Sequence, residues 1–128
     1  MNVFPDVLQV ADAGMRNGSR VFRLTHRFRY LSSFGIITVP PGQETDGASI
    51  PHVFWSILEP FGPWFPAAVI HDYLYSPAND DFDRWESDYI FKEAMFNLGV
   101  PWHKREVIYN AVRLFGWRAF NAKIKTIP

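Results

Sequence analysis

The sequence predicts an α+β domain, a small N-terminal antiparallel sheet packed on a C-terminal helical bundle, and three observations carry that prediction. A stretch beginning at Phe22 alternates apolar and polar residues with the period of two of a half-buried strand. Two later segments, about 83–98 and 102–122, place apolar residues at helical spacing. The two patterns are segregated along the chain, with 1–45 mainly β and 46–128 mainly α, the order expected of α+β folds. At 128 residues the chain has the size of one domain with a single core.

Val7 to Val10 reads as a first short strand. "DAGMRNGS" then supplies turn chemistry, with Asn17-Gly18 a strong hairpin signal. Phe22, Leu24, His26, Phe28 and Tyr30 share one face of the next strand, and Arg23, Thr25, Arg27 and Arg29 share the other. That alternation makes His26 a core or edge histidine and the arginines a solvated face. "GIITVPPG" gives a third short strand closed by a Pro-Pro-Gly turn.

The remainder reads as helical. Ser49 caps a short helix through "IPHVFWSIL", with Pro51 tolerated in its first turn. "PFGPWFP" is a rigid, bulky linker. Pro66 opens a second helix containing "AAVIHDYLY", which ends near "SPAND". The third helix stops at Gly99 ahead of Pro101. The fourth carries Ile108, Ala111, Val112, Phe115 and Ala119 on one stripe. Trp55, Trp85, Trp102 and Trp117 are expected mostly in the core, whereas Trp64 and Phe65, set between prolines, are candidates for an exposed contact ridge.

Composition excludes several function classes. Lys plus Arg and Asp plus Glu number 13 each, so net charge gives no nucleic-acid footprint. Without cysteine there is no disulfide and no thiolate metal site, so any metal would sit on carboxylate, imidazole or backbone oxygen. "MNVFPDVLQV" lacks the pattern of a signal peptide. Glu59, Pro60, Pro63 and Pro66 interrupt the most apolar region, which fails as a membrane span of ~20 apolar residues. A soluble protein is expected.

The chemistry-bearing residues concentrate on the second and third helices. A buried His-Asp dipeptide costs several kcal/mol unless each group finds a partner, and His71-Asp72 stands in an apolar run. Asp88 heads the apolar stripe of Phe91, Met95 and Leu98, where acids are rarely placed. Folding the two helices back through "SPANDDF" as an antiparallel pair sets His71 and Asp88 at similar height, with Tyr75 one turn from His71. A carboxylate on one imidazole nitrogen would fix the tautomer and leave the other nitrogen to take a proton from water. Equally, the pair would serve as a buried clasp that holds two helices in register.

Asp72 points about 100° away around the helix; it would ligate a hard cation or bond an exposed loop. Arg84, four residues before Asp88, would steady that carboxylate. Asp46, in "ETDGASIP", would shape a tight loop, or turn inward to the His71 site as a metal ligand or hydrogen-bond acceptor.

Two resemblances rest on these residues. "TDGASIP", "AAVIHDYLY", the Arg84/Asp88/Phe91 spacing and "AVRLFGW" resemble an uncharacterised phage and prophage family, domain of unknown function 1353, from about Arg20 onward. That resemblance implies a phage or prophage gene and supplies no activity. His71-Asp72-x-x-Tyr75 followed by Arg84-x-x-x-Asp88-x-x-Phe91 is similar to the helix pair of phospholipase A2. By that resemblance His71 would be the general base, Asp72 a ligand of calcium, Asp88 the acid orienting the histidine, and Tyr75 would bond Asp88. The sequence departs from those enzymes in offering only Gly62 where a calcium-binding glycine loop should stand, and no cysteine before the helix.

Two functions are therefore expected. The first is a small metal-assisted hydrolase acting on an ester or lipid substrate during host penetration or lysis. The second is a non-catalytic tail or assembly module that binds other phage structural proteins, in the host cytoplasm during assembly or in the virion.

Overall fold

The computed structural model describes residues 2–16, 18–46, 62–117 and 120–121. The helix expected after Ser49, and Trp55 within it, lie outside the described residues. Among the described residues five strands, β1 (Val10–Arg16), β2 (Ser19–Leu24), β3 (Phe28–Ser32), β4 (Gly35–Val39) and β5 (Glu44–Thr45), precede three helices, α1 (Phe65–Leu74), α2 (Arg84–Asn97) and α3 (Trp102–Phe115). The fold is the expected α+β arrangement of antiparallel sheets and C-terminal helices.

The strands divide into two sheets, ordered β1-β2-β5 and β3-β4, with every pairing antiparallel. β1 and β2 form the expected hairpin: Arg16 stands opposite Ser19, and Gly18 in the connection has φ +80°, a value glycine adopts without a Cβ penalty. β1 begins where the predicted first strand ends, so "DAGMR" is strand rather than turn. Its register shifts between Asp12 and Met15, and the shift accommodates Gly14.

The long alternating stretch is two strands, not one. β2 ends at Leu24, the chain bends at Thr25 and His26, and β3 starts at Phe28. The cause is tertiary pairing, since β2 lies between β1 and β5 while β3, among the described strands, pairs with β4. His26 falls on the bend and is exposed, its Nδ1 2.9 Å from Thr25 Oγ1, so of the core and edge positions its alternation allows, the core one is ruled out. Arg29 clamps Asp6 at 2.8 Å through two nitrogens, and Phe4 stacks on Phe28 and Tyr30, which ties the N-terminal segment over β3.

One core joins sheets and helices. Leu24, Phe28, Tyr30 and Val39 meet Val69, Ile70 and Leu74 of α1, Ile90, Phe91 and Met95 of α2, and Ile108 of α3. Burying each large apolar side chain contributes about 1.5–3 kcal/mol. Trp64 and Phe65 belong to this core, each 8% exposed, rather than to a surface ridge. Their burial follows from α1 itself, which is buried on nearly every face. Conversely, Trp85, Trp102 and Trp117 are exposed. Trp85 lies off the buried stripe of α2, stacked on Tyr89 at 5.6 Å, and Trp102 occupies the first turn of α3.

Local signals set the helix ends. Asp83 accepts from the Glu86 N–H while Glu86 accepts from the Asp83 N–H, a reciprocal box that starts α2. Gly99, at φ +80°, stops it. α3 ends earlier than the predicted 122: Phe115 is exposed, and the chain turns at Gly116 before helical backbone resumes. Ala119 lies outside the described residues. Among the described residues no helix is long and apolar enough to cross a membrane.

Asp83→Ala removes half of the reciprocal box. It should lower stability by about 1 kcal/mol, seen as a lower urea midpoint with an unchanged slope.

Candidate active site

The site forms where the three helices meet. α1 contacts β4, β5 and α2, which buries most of its side chains, and His71 is 1% exposed. The imidazole lies against the rings of Tyr75 and Phe91, at centroid distances of 4.1 and 4.6 Å. Its Nε2 is 2.9 Å from Oδ1 of Asp88, which is fully buried. An ionised carboxylate only accepts, so Nε2 carries the proton and donates. Nδ1 then bears the lone pair; it is buried and has no hydrogen-bond partner among the described residues.

Asp88 collects donors from every helix. The Tyr75 hydroxyl, at the C-terminal end of α1, donates to Oδ1 at 2.5 Å. Arg113 of α3 donates from Nη1 to Oδ2 at 2.7 Å, and Arg84 Nε lies 3.9 Å from the same oxygen. Arg84 spends Nη2 on the carbonyls of Val112 (2.9 Å) and Arg113 near the end of α3, where the Val112 carbonyl also accepts from the Gly116 N–H. Burial alone would raise the Asp88 carboxyl, but the bonds from His71, Tyr75 and Arg113 outweigh it and hold the group below its ordinary range. Burial also dominates at His71 and lowers it; Asp88 and Asp46 pull upward, and Arg84 pushes further down. The imidazole therefore stands neutral. The Tyr75 phenol is raised by burial and by the carboxylate it bonds, so it remains a donor.

Asp72 faces a different neighbour. Its Oδ2 accepts from the Thr45 hydroxyl and, at 3.1 Å, from the backbone N–H of Asp46. It thereby fastens the end of β5 to α1, the loop-bonding alternative of the sequence analysis. Asp46 reaches the His71 site through its charge, while its backbone reaches Asp72. Calcium takes about six to eight oxygen ligands. Among the described residues no group of three His, Cys, Asp or Glu gathers as a metal site.

The structure thus brings together His71, Asp88, Tyr75 and Arg84, and places Asp72 and Asp46 in a separate clip one residue along the helix. Sequence reasoning missed Arg113 and Thr45. Arg113 reaches Asp88 by the length of its side chain rather than by lying on the apolar stripe, so periodicity does not mark it. Its one signal was membership of "AVRLFGW".

A lowered histidine binds protons more readily in the unfolded chain than in the folded one. Its contribution to stability is complete above the ordinary value of 6.5 and is lost as pH falls below it. The urea midpoint should therefore drop between about pH 7 and about pH 5, and His71→Gln should flatten that part of the profile.

Comparison with known proteins places the chain in a family. The model of a family described as protein of unknown function, DUF1353, matches residues 22–112. The chain is 35% identical over 99 residues to the uncharacterized protein y4jT of Sinorhizobium fredii, a match that covers 75% of this chain. It spans only 29% of that relative's length. No solved structure matches. The chain belongs to the DUF1353 family of proteins of unknown function.

Proposed function

We propose that His71 and Asp88 are the general-base dyad of a small hydrolase acting on an ester. One observation carries this reading: Nδ1 of a buried, tautomer-fixed imidazole has no partner among the described residues. Leaving a buried acceptor unbonded costs about 1–3 kcal/mol, a cost that a purely structural clasp has no reason to retain. In the reaction, Nδ1 takes a proton from water as the water oxygen attacks the ester carbonyl carbon. Collapse of the tetrahedral intermediate breaks the bond to the alkoxy oxygen, which leaves as the alcohol with the proton from Nδ1. Asp88 stabilises the transient imidazolium through Nε2. Because His71 is almost fully buried, this reading requires that water gain access to Nδ1.

The similarity of the helix pair to phospholipase A2 supports a phospholipid as the ester, and the resemblance of the motifs to a phage and prophage family supports use during host penetration or lysis. A second reading has its own observation. His71 and Asp88 are sealed from solvent, as a clasp would be, in a virion or assembly module that docks other phage structural proteins through exposed aromatics such as Trp85 and Trp102.

Release of fatty acid from phospholipid vesicles and hydrolysis of soluble aryl esters, each with and without calcium, separate the two. The hydrolase reading expects turnover that His71→Ala abolishes with only a modest loss of stability. Wild-type protein inert in both assays, with His71→Ala destabilised by about 1–3 kcal/mol, would establish the clasp.

A further inference from the structure

We infer that the outer edge of β3 is a peptide-binding site, filled here by the chain's own residues 3–6 and able to take the same residues from a second copy. The site lies on the sheet and involves none of the groups that bond His71 or Asp88. β3 pairs with β4 along one edge, from Phe28 opposite Val39 to Ser32 opposite Gly35. Its other edge presents the N–H groups of Arg29 and Leu31, and an edge of that kind is a template for a further segment. Residues 3–6 take it. The Leu31 N–H donates to the Val3 carbonyl at 2.8 Å. The Arg29 N–H donates to Asp6 Oδ2 at 3.0 Å, and its Nε and Nη2 donate to the two carboxylate oxygens at 2.8 Å each. Between these bonds the Phe4 ring stacks 4.6 Å from Tyr30 and 5.8 Å from Phe28.

The segment is held as a ligand is held, not as a strand. Pro5 has no N–H to give, and the Phe4 N–H is spent on the Asn2 side chain at 3.0 Å. Among the described residues a single backbone-to-backbone bond joins the segment to β3. Its attachment therefore depends on side chains: a ring and, two residues on, a carboxylate. Pro5 also favours extended backbone at Phe4, so the free segment loses little freedom on seating. The residues matched by the family, 22–112, hold the whole of β3 and none of its occupant. Every copy of the chain carries the same ring and carboxylate, so a second copy is a partner that already fits this edge, and mutual exchange closes as a two-fold dimer. In one chain the short link to β1 keeps the segment at an effective concentration of about millimolar. At micromolar protein the chain's own segment wins, and the dimer emerges where that internal pairing is broken.

Charge reversal breaks the pairing within a chain and restores it only between chains. Asp6→Arg and Arg29→Asp each set like charges together, so each full-length variant alone should sediment as a monomer at micromolar concentration. In an equal mixture Asp6 of one chain meets Arg29 of the other, the reversed pair meets in return, and the mixture should sediment as a dimer. Adding Phe4→Ala to both chains should return it to monomers. A mixture that stays monomeric, a dimer that survives Phe4→Ala, or a dimer formed by either variant alone would each overturn the inference. Should a charge-reversed variant fail to fold, a fluorescent peptide of sequence NVFPDVLQ takes the place of the second chain. Phe4→Ala, whose own segment is weakened, should bind that peptide about tenfold more tightly than the wild type, whose edge is filled. Equal affinity, or no binding by either, overturns the inference as well.

Discussion

Asp88 is a carboxylate with no access to solvent, and such a group survives in a protein interior only if donors converge on it. All three described helices contribute: α1 sends the His71 imidazole and the Tyr75 hydroxyl, α3 sends Arg113, and α2, which carries Asp88, adds Arg84 at longer range. The apolar core supplies most of the attraction between these helices, but oil-like surfaces do not specify register. A carboxylate with two oxygens and three short bonds does, because sliding any helix by a residue would strand a buried charge. The same convergence sets the state of the imidazole, so helix packing and site chemistry are one problem with one solution.

The β portion enters the arrangement through a narrower joint. Asp72 accepts from Thr45 and from the backbone beyond it, so the last strand is fastened to the helix residue next to His71. The division into two sheets serves this joint. β2 turns away at the bend and leaves β5 as its outer partner, while β3 and β4 lie against the helices on their own. Tyr30 marks the second contact: its hydroxyl donates to Glu93 at 2.6 Å and accepts from Asn97, so α2 is held to β3 as well.

Much of this is legible in the sequence where the signal is local. Asp83 with Glu86, and Gly99 before Pro101, delimit α2 because capping depends on a few adjacent residues. The meeting of His71 with Asp88 is readable because a carboxylate at the head of an apolar stripe has to find a partner. What escapes the sequence is set by tertiary contact. The alternation from Phe22 to Tyr30 continues through a bend, since period two records which side faces inward and not which strand lies alongside. Trp64 is buried and Trp85 exposed because packing, not residue type, decided their surroundings. Arg113 bridges by reach, a property with no periodicity.

Gly116 gives this site an address far from its motif. A Cβ there would stand 3.0 Å from the Tyr75 hydroxyl and 2.5 Å from the Val112 carbonyl, the same carbonyl that receives Arg84. The position is ordinary in φ, so glycine is required for room and not for backbone freedom. A single methyl group would press on the phenol and on the arginine anchor together, two of the supports on which the buried acid leans. The tail of the last helix is thus a feeler gauge for the site, and its clearance is less than the width of one carbon atom.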